Sequence, residues 1–219
     1  MKKIIDLTLD LTEGMPVFPV PWYPKPKFEA VLTPAQCPAG RTASKALVFM
    51  HAGTHVDAPK HFFYERGTIE QVPLDVLCGP TTVIDMYGKG NLEPITAADL
   101  EGACPKPIKK GNRAIIRTGY TDRCWGNDDY FQVSPYLTPD AAGWLVDQGF
   151  VLVALDFQTD KPGDATFPVH KVLLGNGVII IEYLTNVLTI AKPQVEMYAL
   201  PLRFKGLEAS PARVVVVEE

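Results

Sequence analysis

Three of the four histidines in the chain, His51, His55 and His61, fall within eleven consecutive residues, His51-Ala52-Gly53-Thr54-His55-Val56-Asp57-Ala58-Pro59-Lys60-His61, with one carboxylate, Asp57, among them. Imidazole and carboxylate together make the donor set that a divalent metal of borderline hardness binds, and they also act as acids and bases near neutral pH. A lone histidine reads as an ordinary polar residue in a half-buried turn. A cluster of so rare a residue reads as a site.

The fourth histidine, His170, and Glu182 stand apart from this cluster. Glu182 ends the run Val178-Ile179-Ile180-Ile181, where burying a carboxylate is costly unless something neutralises it. A metal would do so; an exposed acid at the end of a strand is the plainer reading of Glu182 alone. Asp156 closes a second apolar run, residues 150–155, at the kind of strand end where ligand-facing loops begin. Asp156 and Asp160 are therefore candidates to touch metal or substrate, with solvation and turn formation the simpler account of Asp160. Other chemistries find little support. There is no G-x-S-x-G elbow, no cysteine stands beside a histidine in sequence, and Gly88-Lys89-Gly90 is too short for a phosphate-binding loop.

The elements that must position these groups follow from spacing. In a strand His51, His55 and Asp57 would share a face, but four residues of strand span roughly 13 Å, too far for two imidazoles to meet on one ion. Gly53, Thr54, Val56 and Pro59 are poor helix material. The pattern therefore predicts a strand over residues 45–50 that delivers the motif and breaks at Ala52-Gly53, with Pro59 fixing the chain direction before His61. Further strands are expected over residues 3–11 (Ile5, Leu7, Leu9 and Leu11 on one face), 27–32, 81–86, 113–117, 150–155, 178–181, 195–203 and 212–217. A short helix should start near Thr96. A second should run from Pro139 to Gln148, with Thr138 as N-cap and Gly149 as terminator. A helical turn is expected over residues 171–174. Residues 14–26, rich in proline and aromatics, cannot join a sheet interior; they form either a rigid surface connection or an apolar flap. Residues 122–130, with Trp125, read as a surface loop.

At 219 residues and 47% hydrophobic content, the chain has room for one large domain, residues 1–219, with a substantial core. The net charge of −4 and pI near 5.6 leave no basic footprint for nucleic acid. Cys37, Cys78, Cys104 and Cys124 are widely spaced, without a C-x-x-C pair, which points to reduced thiols and a cytoplasmic setting. The apolar start is broken at Asp6 and Asp10, so no export or membrane segment is expected there.

The segment His51 to Phe62 resembles the cyclase family of metal-dependent hydrolases, which takes in bacterial kynurenine formamidases and isatin hydrolases; every fixed position of its H-x-G-T-H-x-D-x-P-x-H-F signature is present. Asp6-Leu7-Thr8 with Gly14-Met15-Pro16-Val17-Phe18-Pro19 is similar to the family's opening, and Ala209-Ser210-Pro211-Ala212-Arg213-Val214 to its closing strand. His170 and Glu182 resemble its second ligand pair, H-x11-E. The likeness implies a mixed, β-rich α/β domain of swivelling β/β/α type, assembled as a homodimer or homotetramer. It implies Zn²⁺ or Mn²⁺, one or two ions per chain: His51, His55 and Asp57 on one, and a bridging Asp57 with His170 and Glu182 on a second, a single ion being the alternative. It implies His61 as general acid/base, and a flap over the site bearing Phe18 and Trp22, covering its own or a neighbouring subunit. The chain departs from the family after Pro19, with Val20-Pro21-Trp22 in place of glycine and an acid. The activity implied is hydrolysis of a carbon–nitrogen bond in a small amide or cyclic amide, arylformamidase-like. An esterase, lactonase, cyclase or dehydratase, and a metal-containing binding protein without turnover, are the alternatives.

Overall fold

The computed structural model describes residues 2–218. Its elements begin with β1 (Lys3–Asp6), β2 (Lys27–Leu32), β3 (Ala43–Leu47), β4 (His55–Asp57) and α1 (Leu74–Leu77). They continue through β5 (Cys78–Asp85), β6 (Pro94–Ile95), α2 (Ala97–Ala103), β7 (Arg113–Arg117), α3 (Tyr120–Cys124) and β8 (Tyr136–Leu137). The last are α4 (Pro139–Asp147), β9 (Leu152–Leu155), α5 (Pro168–Gly175), β10 (Ile179–Glu182), β11 (Gln194–Pro201) and β12 (Ala209–Glu218). No helix among the described residues is long and apolar enough to cross a membrane.

The main sheet runs β1-β12-β11-β5-β7-β9-β10-β4, and β4 pairs back onto β12, so seven strands close into a barrel. The β5, β7, β9 and β10 neighbours are parallel; the other pairings are antiparallel. Closure falls on the ten-residue β12, which pairs with β4 at Ala209–Pro211 and with β1 at Val215–Glu218.

Alternation along the strands divides the core in two. Val56, Ile115, Leu152, Ala154, Ile181 and Val214 fill the barrel interior. Ile116, Val153, Leu155 and Ile180 point outward and are covered by α2, α4 and α5 with Leu100, Leu145 and Leu173. Because Val56 points in, His55 and Asp57 must point out, on the same side as Ile180 and Glu182, whose strand pairs Ile180 with Asp57 and Glu182 with His55. The site residues thus lie on the outer barrel face, at the edge of the layer that α5 covers.

The mixed, β-rich α/β fold is the one the family resemblance implies. Several local expectations need correction. The strand expected over residues 3–11 ends at Asp6, because Thr8 turns its hydroxyl to Val214 O and Leu9 N goes to Thr54 Oγ1 instead of continuing the ladder. The strand expected to deliver the motif ends at Leu47 and belongs to a separate β2–β3 hairpin; the motif makes its own three-residue strand, β4. Residues 120–124 form helix α3, not loop. Thr138 is at the N-cap of α4, but its hydroxyl donates to Ile95 O in the neighbouring segment and caps no backbone N–H of its own helix. Thr96, by contrast, caps α2 with its side chain, in a capping box closed by Asp99. His170 sits inside α5 and not ahead of it.

Candidate metal centre

The turn before β4 depends on Gly53. Its φ is +59°, a region open to glycine without strain, and a Cβ there would meet Leu11 Cδ2 at 3.0 Å and Met15 Cε at 3.2 Å. This turn folds His51 back beside His55, their ring centroids 5.0 Å apart. The bend that the spacing demands is thereby realised. Thr54 fastens the turn: its hydroxyl donates to Tyr183 O at 2.7 Å and accepts from Leu9 N at 2.9 Å. Pro59 opens a 3₁₀ turn, Pro59–His61, that returns His61 to within 4.1 Å of the His51 ring.

Asp57 is the centre of the cluster and is wholly buried. His51 Nδ1 lies 2.9 Å and His55 Nε2 3.3 Å from its Oδ1, and His170 Nε2 lies 3.6 Å from its Oδ2. Glu182 reaches in from β10, with Oε2 3.6 Å from His55 Nε2 and Oε1 3.9 Å from His170 Nε2. All five residues singled out as ligands are therefore brought together, with His61 beside them. Two close triads share Asp57: His51, Asp57 and His61, and His55, Asp57 and Glu182.

The supporting contacts set which ring nitrogen faces inward. His55 Nδ1 donates to Gly53 O at 2.8 Å, leaving the Nε2 lone pair turned to the carboxylates. His170 Nδ1 donates to Asp160 Oδ2 at 2.5 Å, and Asp160 also accepts from Val169 N. Asp160 is therefore not a solvated turn residue: it is buried and orients His170 in the way that metal-bound histidines are commonly held. Glu182 Oε1 accepts from the backbone and hydroxyl of Thr159. Asp156 does not reach the cluster; it accepts from Thr118, and burial raises its pKa to about 7 against the lowering by those hydrogen bonds.

A divalent cation fits these residues on one direct observation. Despite their proximity, His55 Nε2 and both oxygens of Asp57 are buried without a hydrogen bond among the described residues. An ionised carboxylate in that position costs several kcal/mol unless it is neutralised. The neutral imidazoles and carboxylates converging there are the donor set of zinc and similar ions.

The cavity over this cluster has a volume of about 420 Å³, within the range of small-molecule sites. Residues 14–26 form its roof: Phe18 meets Phe131 edge-on at 5.7 Å, and Tyr23 packs on Phe49 at 4.1 Å. Phe18 and Trp22 both line it, Trp22 at the exposed rim, so the segment is an apolar flap over its own chain's site. Trp125, assigned by sequence to a surface loop, also lines the cavity. Glu208, which sequence did not flag, places Oε1 3.6 Å from His51 Nε2. Its signal was its place directly before the closing segment Ala209–Pro211.

Protonation follows from these neighbours. Burial opposes charge on His51, but Asp57 and then Glu208 outweigh it and raise its pKa to about 9. Burial likewise opposes charge on His170, and Asp160 and Asp57 raise its pKa to about 10. His61 is pushed down to about 3, by burial first and then, against the pull of Asp57, by the other histidines. A histidine whose folded pKa exceeds its unfolded value near 6.5 contributes stability that is complete below 6.5 and lost as pH rises through the folded pKa. For a depressed histidine, stability is lost as pH falls from 6.5 toward the folded pKa. Between about pH 4 and 6.5 the raised Asp156, whose contribution grows on the acid side, offsets the His61 loss, so the melting temperature of metal-free protein should change little from pH 5 to 6.5 and fall progressively toward pH 10. Thermal melts in chelator over that range check this; a profile flat from pH 6.5 to 10 would contradict the His51 and His170 pairings.

Comparison with known proteins agrees with this geometry. The Cyclase family model matches residues 5–161. A kynurenine formamidase of Paracidovorax citrulli is 31% identical over 220 residues, covering 98% of this chain and 96% of its own. A solved structure described as a potential metal-dependent hydrolase with cyclase activity is 28% identical, with a TM-score of 0.83 and coverage of 100% and 99%. Isatin hydrolase A from Labrenzia aggregata shares the fold, with a TM-score of 0.88 at 22% identity over 99% of this chain and 93% of its own. With the family model matching residues 5–161 and a formamidase relative 31% identical across 98% of this chain, the chain belongs to the Cyclase family.

Proposed function

We propose that the chain is a metal-dependent hydrolase that opens a carbon–nitrogen bond in a small aromatic amide or cyclic amide. The observation that carries this reading is the buried, hydrogen-bond-free Asp57 carboxylate, ringed by histidines at the floor of an aromatic cavity. The family's kynurenine formamidase relatives support the bond type.

In this reading His51, His55 and Asp57 hold one Zn²⁺ or Mn²⁺ ion, and Asp57, His170 and Glu182 hold a second where two are bound. The cation supplies Lewis acidity, activating water at neutral pH and polarising a carbonyl. The rest falls to the chain. The flap and the aromatic wall seat the substrate ring and exclude bulk water, which strengthens every charge interaction inside. His61, its ring 4.1 Å from that of His51, takes the proton that water gives up and delivers it to the leaving nitrogen.

The test is hydrolysis of N-formylkynurenine by zinc- and manganese-loaded protein. The expected kcat/KM is about 10⁴ M⁻¹s⁻¹ or more. His61→Ala should keep its metal and lose about 10²-fold or more in rate, whereas Asp57→Ala should lose both. A metal equivalent lost with His61 would make it a ligand, as the His51–Asp57–His61 triad permits. No turnover with metal bound would move the search to lactones and other small carbonyl compounds.

Asp160→Asn separates the support from the ligands. Its neutral amide should hold His170 less firmly and weaken metal affinity by about 10- to 100-fold, read by chelator competition. Unchanged affinity would remove His170 from the ligand set.

The β2–β3 hairpin supports assembly into a homo-oligomer. Its residues are exposed on both faces, with Phe28, Val31 and Leu47 open to solvent, and a lone two-stranded hairpin is marginal in water. Light scattering should give a dimer or tetramer for the wild type and a smaller species for Phe28→Asp/Leu47→Asp; a monomeric wild type would end this proposal.

A further inference from the structure

Tyr183 follows Glu182 directly, at the end of β10, and lines the same cavity. Its backbone is left-handed, with φ +59°, a region where a bulky side chain is an outlier. The chain is nonetheless fixed on both sides: Thr54 Oγ1 donates to Tyr183 O, and Leu184 N donates to Leu155 O at 2.9 Å. The ring is clamped by neighbours, with centroids 5.7 Å from His55, 5.7 Å from Phe131, 6.1 Å from Tyr130 and 6.2 Å from Trp125. Strain of this kind persists where the surroundings over-determine a residue, commonly at ligand sites.

The hydroxyl is what the packing leaves over. Tyr183 is only 6% exposed, yet among the described residues its hydroxyl makes no hydrogen bond, nor is it one of the atoms sealed off without a partner. What remains open to it is the cavity the residue lines. The neighbouring donors are committed: Tyr23 Oη donates to His51 O, and Gln158 Nε2 to Asp160 O. Lys161 is exposed, its ammonium 5.9 Å from the Tyr136 ring. Apart from the histidines and the half-buried Trp125, whose indole N–H also has no hydrogen bond among the described residues, Tyr183 is thus the uncommitted side-chain donor in the buried wall among the described residues. A hydroxyl held rigidly at an open cavity and committed to no protein group can serve a bound acceptor without first giving up a protein partner.

We propose that Tyr183 is a catalytic residue whose hydroxyl donates a hydrogen bond to the carbonyl oxygen of the bound amide, beside the His55–Asp57–Glu182 cluster. The proposal rests on the amide-hydrolase reading above. A carbonyl oxygen accepts and cannot donate, and of the two donors Trp125 and Tyr183 it is Tyr183 whose ring packs against the cluster, 5.7 Å from His55. As negative charge grows on this oxygen during attack, the fixed phenol gains in strength without having to reorganise.

Tyr183→Phe keeps the ring and the backbone strain and removes the hydroxyl. With metal-loaded protein and formanilide as substrate, metal content and melting temperature should match the wild type while kcat falls about 10²-fold and KM rises by a much smaller factor. Thioformanilide, whose sulfur is a poor acceptor, should show a much smaller loss between the two proteins. Equal rates for wild type and variant on formanilide would overturn the proposal, as would an equal loss on both substrates, because a purely structural defect does not distinguish oxygen from sulfur. Should the wild type hydrolyse no formamide at all, the hydrolase reading fails by itself, and formanilide binding followed by tryptophan fluorescence decides the contact. Weaker binding to Tyr183→Phe would uphold it; equal binding would end it.

Discussion

The Asp57 carboxylate is the constraint on which the structure turns. It is fully buried, no backbone N–H or hydroxyl among the described residues serves it, and three imidazoles lie within 3.6 Å of it. Such a group is tolerable only opposite positive charge. Without metal that charge comes from the histidines, which is why His51 and His170 hold their protons so far above the ordinary imidazole range. A divalent cation supplies the same charge from one point and releases those protons. Metal binding and protonation are then alternative solutions to one electrostatic problem.

The barrel makes this constraint rigid. β4 is only three residues long and would not persist as a strand by itself, yet it is the link that closes the ring, paired on one side with β10 and on the other with β12. Its register is locked by alternation: a slip of one residue would turn Val56 out to the cluster and drive His55 and Asp57 into the apolar interior. Barrel closure and placement of the ligands are therefore a single condition. The same pairing sets Glu182 opposite His55, so a carboxylate far away in sequence reaches the cluster by strand register, without a loop to aim it.

How much of this was legible follows from the range of each interaction. The motif, the break at Gly53 and the roles of Thr96 and Gly149 rest on neighbours in sequence, and they were readable. The buried runs announced β9 and β10, whereas Glu182 by itself read as an exposed acid at a strand end and became a ligand candidate only through its resemblance, with His170, to the family's H-x11-E pair. What could not be read were side chains whose partner is distant. Thr138 looked like a cap but serves Ile95. Asp160 looked like a turn residue but receives the first turn of α5 and the ring of His170. Trp125 sits in a polar stretch that reads as surface until α3 folds it against Tyr130 and Tyr183. The strand expected before the motif was misplaced because residues 43–47 carry a real strand signal, satisfied by β2 and not by the barrel.

The flap is joined to the cluster more closely than its proline-rich sequence suggests. It leaves β1 through Leu9, whose N–H is held by the Thr54 hydroxyl. Farther along, Tyr23 donates its own hydroxyl to the carbonyl of His51 at 2.5 Å. Both anchors fall on the turn that brings His51 beside His55, and Met15 and Leu11 fill the space that Gly53 leaves open. The apolar roof and the ligand turn therefore share their hydrogen bonds and their packing. Moving the roof would mean breaking these hydrogen bonds or carrying the backbone of His51 with it. Roof and ligand turn are joined through Thr54 and Tyr23, two side chains that belong to neither the cluster nor the aromatic wall alone.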